Sequence, residues 1–345
     1  MNFCIMRNCV RNSRLGVIIA MLLMAVLFVA NLLFGSVDIP ASDVVSILSG
    51  RGCDNDVWRL IVLEMRLPQA VTALLAGAAI SVTGLVLQTL FANPLAGPEV
   101  LGINSGAGLG VALVMLLSHG MFTVGGAALF GYVAMLAGAF AGAMTIILII
   151  LFLSSLLRNR VFLLVAGVAV SYLTSSVISL LNYFATSEGV HSYLIWGMGS
   201  FSAVTLDRLP FFATVTLLLL FASLLMVKPL NVLLLGDAYA HNLGIRVRRV
   251  RTAALVVTGM LTAVVTAFCG PVAFIGLAVP HIARMFLSTN NHKTLLPATL
   301  FIGGATALLC NLICQLPGDG GLLPLGAVTP LIGAPVILYV VVKKM

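Results

Sequence analysis

Hydrophobic positions in this chain come in long unbroken runs of about 20 residues, roughly the length a helix needs to cross the hydrocarbon core of a bilayer. Short polar breaks rich in Pro, Gly and Asn separate them. A membrane β-barrel would instead alternate polar and apolar positions over segments of ~10 residues, and these runs do not alternate. The pattern predicts ten helical spans, near 15–34, 68–91, 100–118, 127–153, 161–184, 209–227, 252–270, 272–287, 294–315 and 325–342. The eighth is the shortest; it opens at the breaker Gly270-Pro271 and holds Pro280 inside. Between the fifth and sixth spans, "SYLIWGMGSFSAV" (192–204) is apolar but too short to cross. It predicts an outer-side or re-entrant helix, whose His191 and Met198 either touch cargo or, as the plainer reading, pack as structure. The fold class is all-α, a polytopic membrane protein with ten transmembrane helices forming a single membrane domain over 1–345.

Charge turns this pattern into a topology. Of the 345 residues, 61% are hydrophobic, and only 18 basic and 10 acidic side chains serve the whole chain. With the N-terminus inside, the predicted cytoplasmic segments hold fourteen Lys and Arg, including Arg7, Arg11, Arg14, Lys228, Arg246, Arg248, Arg249, Lys343 and Lys344, and the outer segments only Arg51, Arg59, Arg66 and Arg208. That bias is what the positive-inside rule asks for, and it puts both termini in the cytoplasm. The first run, Leu15 to Phe34, is too long for the core of a signal peptide and is expected to stay as a span. The basic residues sit between spans and form no continuous face, which speaks against nucleic acid as a partner.

No Asp, Glu, Lys or Arg falls at the middle of any predicted span. Ion-coupled secondary transporters, the rival class, usually keep such residues there because the charge does the coupling. Energy therefore has to come from elsewhere, and the chain does not make it. It has no phosphate-binding loop of the form G-x-x-x-x-G-K-[ST], nor H-E-x-x-H, C-x-x-C or G-x-S-x-G, so no catalytic residue, cofactor or metal site is expected. Cys310 and Cys314, four apart on one helix face, have the spacing of a soft metal pair, but small apolar packing residues is the plainer reading.

The longest predicted cytoplasmic loop, 228–251, contains "GDAYAHNLG" (236–244), which carries its own start and stop. Asp237 is expected as an N-cap, and Gly244 as the C′ residue that ends the helix. A helix so short needs a surface to lie on, either its own membrane domain or a cytoplasmic partner. Gly102, Gly106 and Gly110 recur every four residues in the third span, either for close helix packing or to line a pathway for bulky cargo.

Four stretches, taken together and in order, resemble the FecCD family of permease subunits of type II ABC importers: "RLPQ…GLVLQTLFANPLAGPEVLGINSGAGLG", "LGDAYAHNLGI", "GPVAFIGLAVPHIAR" and "GAVTPLIGAPVILYVV". The resemblance implies the type II importer permease fold in a bacterial inner membrane, as a homodimer with the pathway on its two-fold axis. It implies two cytoplasmic ATPase subunits, which carry ATP and Mg, and a periplasmic binding protein. Leu235, Gly236, Asp237, Ala240, Leu243 and Gly244 would form the ATPase-coupling helix. Asn93, Leu95, Leu157 and Asn159 would belong to the cytoplasmic gate. Arg66, with Gln69 and Gln315 at positions where relatives carry Arg, would form the rim that meets the binding protein. The expected cargo is an iron chelate, a siderophore or haem, with cobalamin as the alternative.

Overall fold

The computed structural model describes residues 2–51, 55–117, 127–157, 159–315 and 323–344; Cys53 lies outside the described residues. Each of the ten predicted spans is a helix: α1 (Asn2–Leu33), α4 (Leu67–Leu90), α5 (Ile103–Leu117), α6 (Ala127–Leu156), α7 (Arg160–Phe184), α9 (Leu209–Leu225), α12 (Val247–Cys269), α13 (Ile275–Leu287), α14 (His292–Gln315) and α15 (Leu325–Lys344). Five short helices complete the order: α2 (Ala41–Leu48), α3 (Asp56–Leu60), α8 (Ser187–Gly197), α10 (Val227–Leu233) and α11 (Asp237–Asn242). No strand occurs among the described residues. Helix is the expected outcome, since in hydrocarbon each backbone N–H and C=O must find its partner within the segment.

Among the described residues, length and apolarity alone qualify six segments to cross a bilayer, and α9 with α10 makes a seventh as a pair bent by 49°. Helices α5, α13 and α15 are shorter. At 13 residues α13 is about 20 Å long, against a hydrocarbon core of ~30 Å. Backbone at both of its ends enforces this: Gly270 and Phe274 before it, and Ser288 after it, all have positive φ. The segment before α4, expected on the outer side, is helical. Helices α2 and α3 and a π-helical turn (Ile61–Arg66) bury Ile39, Val44, Ile47 and Val62 against Trp58, Leu33, Ile61 and Leu63. The expected short helix at 192–204 is present as α8, which begins earlier, at Ser187, where the Thr186 side chain caps it, and is followed by a 3-10 turn (Phe201–Ala203).

Contacts fall into two compact units, with the boundaries inside α4 and α9. The first comprises Met1–Val82, Ser200–Leu218 and Phe274–Met345. There α14 packs on α1, α13 and α15, and Gly77 of α4 meets the backbone of Gly303 on α14. Polar side chains knit the same helices: Gln69 donates to Asn311 (3.0 Å), Asn311 to Asn31 (2.8 Å), and Asn31 to the carbonyl of Leu308 (3.0 Å). Hydrogen bonds of this kind hold membrane helices together where no hydrophobic drive exists between them. Cys310 and Cys314 are free and buried in this unit. The second unit comprises Thr83–Gly199 and Leu219–Ala273. In it α5 is the hub, packed by α6, α7, α8 and α12. Thr266 of α12 donates to Asn104 of α5 (2.9 Å).

Candidate functional site

The loop expected to couple to a partner is built as a rigid projection. Helix α10 ends at Leu233, and Gly236 turns the chain with φ 97 and ψ 158, a region open to glycine alone. Helix α11 then runs from Asp237 to Asn242. It ends as expected. Gly244 takes φ 80, its N–H bonds the carbonyl of His241 (2.9 Å), and the Ile245 N–H bonds that of Ala240 (3.0 Å), the Schellman pattern that satisfies the orphaned carbonyls. The start differs from expectation. Gly236 is the N-cap and makes no side-chain cap; Asp237 is the first helical residue. Its carboxylate lies 3.4 Å from Arg251 of α12, and pins α11 to the membrane helix behind it.

Burial sorts the coupling residues into two sets. Ala240 is fully buried against its own chain, so it is not the small side chain offered to a partner. The correction follows from helix geometry: Asp237, Ala240 and Arg251 share the inner side, and Ala240 leaves no room between α11 and the surface below it. Leu235, Tyr239 and Leu243 point the other way, with 60–66% of each exposed. With Leu234, 47% exposed beside them, these large side chains are the part of the loop that gains by being covered.

The turn after α4 holds Asn93 and Leu95, two of the residues expected at a cytoplasmic gate. The helix closes with Ala92 at φ 47, while the Asn93 N–H bonds the carbonyl of Gln88 (3.1 Å). The Asn93 side chain then accepts from the Leu95 N–H (2.9 Å), leaving Leu95 about half exposed at 47%. Leu157 and Asn159 flank the α6–α7 junction. Leu157 still bonds back to Leu153, and Asn159 caps α7 by accepting from the Val161 N–H (2.8 Å).

At the proposed rim the structure reverses the expected orientation. Arg66 is 4% exposed and its guanidinium donates to the carbonyls of Leu32 (3.0 Å), Leu33 (2.9 Å) and Val37. Leu32 and Leu33 end α1, so Arg66 supplies the donors their carbonyls lack. Gly35 makes the approach possible, since a Cβ there would stand 3.0 Å from the guanidinium. Gln69 is turned onto Asn311, and Gln315 is 7% exposed. None of the three is an open rim contact. Arg66→Leu should therefore act on folding: the lost charge-assisted bonds are worth about 3 kcal/mol, read as a lower thermal midpoint of the purified chain. Unchanged stability with lost affinity for a binding protein would return Arg66 to the interface.

Gly102, Gly106 and Gly110 resolve as packing, which corrects their place among pathway-lining residues. All three are buried. A Cβ on Gly106 would meet the Gly142 carbonyl oxygen at 2.7 Å, and one on Gly110 would strike that of Gly138. Reciprocally, a Cβ on Gly138 would stand 2.7 Å from the Gly110 carbonyl oxygen, so α5 and α6 touch backbone to backbone. Gly102 packs on Ser171 and Gly167 of α7. Met198, just past α8, is 49% exposed.

One face was overlooked in the sequence. On α7, Tyr172, Ser176, Ser179 and Tyr183 follow the four-three-four spacing of a single helix face, and all four are exposed, Tyr172 by 73% and Tyr183 by 81%. The serines bond back to carbonyls one turn earlier, Ser176 to that of Tyr172 itself, but the Tyr172 phenol makes no hydrogen bond among the described residues. The exposed face of α1 (Leu15, Ile18, Leu22, Val26) carries no such group, and that of α9 (Phe211, Leu218, Phe221, Leu225) carries a single exposed hydroxyl, Thr214. A phenol at mid-helix is costly against lipid tails and ordinary against water or another polar surface.

Known proteins fit this geometry along nearly its whole length. Vitamin B12 import system permease proteins BtuC are similar: that of Salmonella arizonae is 34% identical over 297 residues, 86% of this chain and 85% of its own. That of Klebsiella pneumoniae is 33% identical over 334 residues, 97% and 95% of the two chains. A metal-chelate type ABC transporter solved in an inward-facing conformation superposes with a TM-score of 0.79 at 29% identity, over 95% of this chain and 99% of that one. The FecCD transport family matches residues 22–343. Matched over that length and similar to these relatives along most of both chains, the chain belongs to the FecCD transport family, the membrane permeases of ABC importers.

Proposed function

We propose that this chain is the translocating subunit of an ATP-driven importer for cobalamin. Relatives named for vitamin B12 import, similar over most of both chains, support that cargo ahead of the iron chelates. The inward-facing metal-chelate transporter keeps a ferric siderophore or haem as the second reading. The observation that carries the mechanism is the projection of Leu235, Tyr239 and Leu243 from a helix anchored to α12 by the Asp237–Arg251 pair. A chain without a phosphate-binding loop has to receive work from outside, and a short helix tied to a membrane span transmits a push where a slack loop would not.

In this reading two copies form a homodimer in the bacterial inner membrane, with both termini in the cytoplasm, as the charge bias supports. Two ATPase subunits, which carry ATP and Mg, bind α11 from below. A periplasmic binding protein delivers cargo from above. The α7 hydroxyl face and Met198 border the pathway, and the turns at Asn93–Leu95 and Leu157–Asn159 close its cytoplasmic end. The permease is not itself an enzyme; the ATPase subunits hydrolyse the ATP.

Uptake of labelled cobalamin, ferric siderophore and haem by cells with and without the chain tests the cargo. Loss of cobalamin uptake alone is the expected result. Loss of iron-chelate or haem uptake with cobalamin unaffected would overturn it.

A further inference from the structure

From the exposed hydroxyl face of α7 and the uncharged interiors of the spans, we infer that this permease passes chelates of zero net charge and discriminates against polyanionic ones. The inference rests on the reading of α7 as a wall of the pathway. Tyr172, Ser176, Ser179 and Tyr183 present hydroxyls to that space along three turns; the two phenols both donate and accept, while the serines, whose protons go to carbonyls one turn earlier, accept. Such a wall exchanges hydrogen bonds with amide, hydroxamate or hydroxyl groups on a neutral ligand and supplies no counter-charge.

No other span offers one. Formal charges within the long helices stand before the apolar run or near a helix end: Arg7, Arg11 and Arg14 precede the apolar run of α1, Arg251 is in the fifth position of α12, Arg284 in the last turn of α13 and Lys293 in the second position of α14. Arg251 is engaged by Asp237. Arg66 is committed to the carbonyls that end α1. An anionic cargo leaving water would therefore meet dipoles and hydrocarbon but no cation along the wall. A charge held in such surroundings is disfavoured in proportion to its magnitude. Corrinoids with intact side-chain amides and neutral ferric trihydroxamates fit this wall. Ferric triscatecholates, with three net negative charges, do not, and neither do the paired carboxylates of haem.

The test uses the complete importer, permease with ATPase and binding protein, in lipid vesicles with ATP. Two matched sets serve as probes: cyanocobalamin against its tricarboxylate made by hydrolysing side-chain amides, and a neutral ferric trihydroxamate against a ferric triscatecholate. Each is given at saturating concentration. The wild type should carry the neutral member of a set at least about tenfold faster than its trianionic partner. Ser176→Lys should narrow that ratio about fivefold, Ser176→Asp should widen it, and Ser176→Gln should leave it near the wild-type value. A wild-type ratio near one, or a ratio that shifts equally with either sign of charge at position 176, overturns the inference. Labelling of Ser179→Cys by a membrane-impermeant maleimide during turnover separates the two levels. Labelled vesicles with a ratio near one sink the charge rule alone. An unlabelled thiol in an active importer sinks the pathway reading and the rule with it. If no chelate of either set enters, the chelate-importer reading fails.

Discussion

Gly110→Val is expected to leave no folded permease. A Cβ on Gly110 would run into the backbone carbonyl of Gly138, and one turn earlier Gly106 stands in the same relation to Gly142. A backbone oxygen in a helix cannot step aside as a side-chain tip can, so α5 and α6 would have to part along their shared face. Lipid tails are as apolar as the side chains, so no hydrophobic drive holds separated helices together, and dispersion between touching backbones is what is lost. Because α5 also carries α7, α8 and α12, the damage spreads through the second unit. A loss of more than about 3 kcal/mol follows, enough to exhaust the margin of many folded chains. The control lies between them. At Gly108 an added Cβ has its nearest neighbour at 3.3 Å, the mobile hydroxyl end of Tyr193, so Gly108→Ala should fold. Monodisperse yield and thermal midpoint in detergent check both variants. A wild-type midpoint for Gly110→Val would show that α5 and α6 are not held at backbone contact.

Tyr239→Asp combined with Leu243→Asp should abolish association with the ATPase while leaving the permease stable. Both side chains are exposed, so neither supports the fold, and a carboxylate in water at their positions costs the free chain little. Buried in a partner's cleft, each would be an unpaired charge. Truncation of one central interface anchor costs about 2 kcal/mol or more, roughly thirtyfold in affinity, and two reversed in polarity should exceed that. Ala240→Trp should do the opposite. Its Cβ is already fully enclosed, so the indole would lever α11 off the chain and destabilise the permease itself. Co-purification of the ATPase with each variant, followed by ATP turnover with loaded binding protein, separates these outcomes. Full assembly and full stimulated turnover by the double Asp variant would remove Tyr239 and Leu243 from the coupling surface.

These two predictions depend on facts of different origin. The recurrence of Gly106 and Gly110 is plain in the sequence, but whether they admit a neighbouring helix or a cargo depends on what stands opposite. Gly138 and Gly142 stand opposite. The coupling helix was legible from its composition, and its end at Gly244 came out as expected because a C′ glycine reports on backbone dihedrals, a local property. Its beginning was misplaced by one residue. An Asp before a helix and an Asp in its first turn are both favourable, so residue type cannot separate a cap from a first-turn charge. The presence of Arg251 beside Asp237, fourteen residues on, could not be read from either stretch alone.

Arg66 shows the same limit from the other side. A lone cation near the end of an apolar run is ordinarily expected at the water boundary. Here the termination of α1 at Leu33 leaves carbonyls that need donors, and the fold brings Arg66 to them across more than thirty positions. The α7 hydroxyl face was legible and was passed over. Averaged over a span, two tyrosines and two serines vanish among Val and Leu, whereas their four-three-four spacing marks a face.

What the sequence by itself determined is the class of object: an all-helical membrane chain of apolar runs bounded by breakers, with no charge at the middle of a predicted span and a polar stretch between α9 and α12. Those properties follow from hydrophobic length and local backbone preference, and each is written into contiguous residues. Only the tertiary structure decided which way the decisive side chains face. Ala240 is inward, Tyr239 and Leu243 outward, Arg66 folded onto α1, and Gly110 against Gly138. Facing is set by contacts between residues far apart in the chain, and in a protein this uniformly apolar the hydrophobic pattern, which orients helices in water, carries little information about direction.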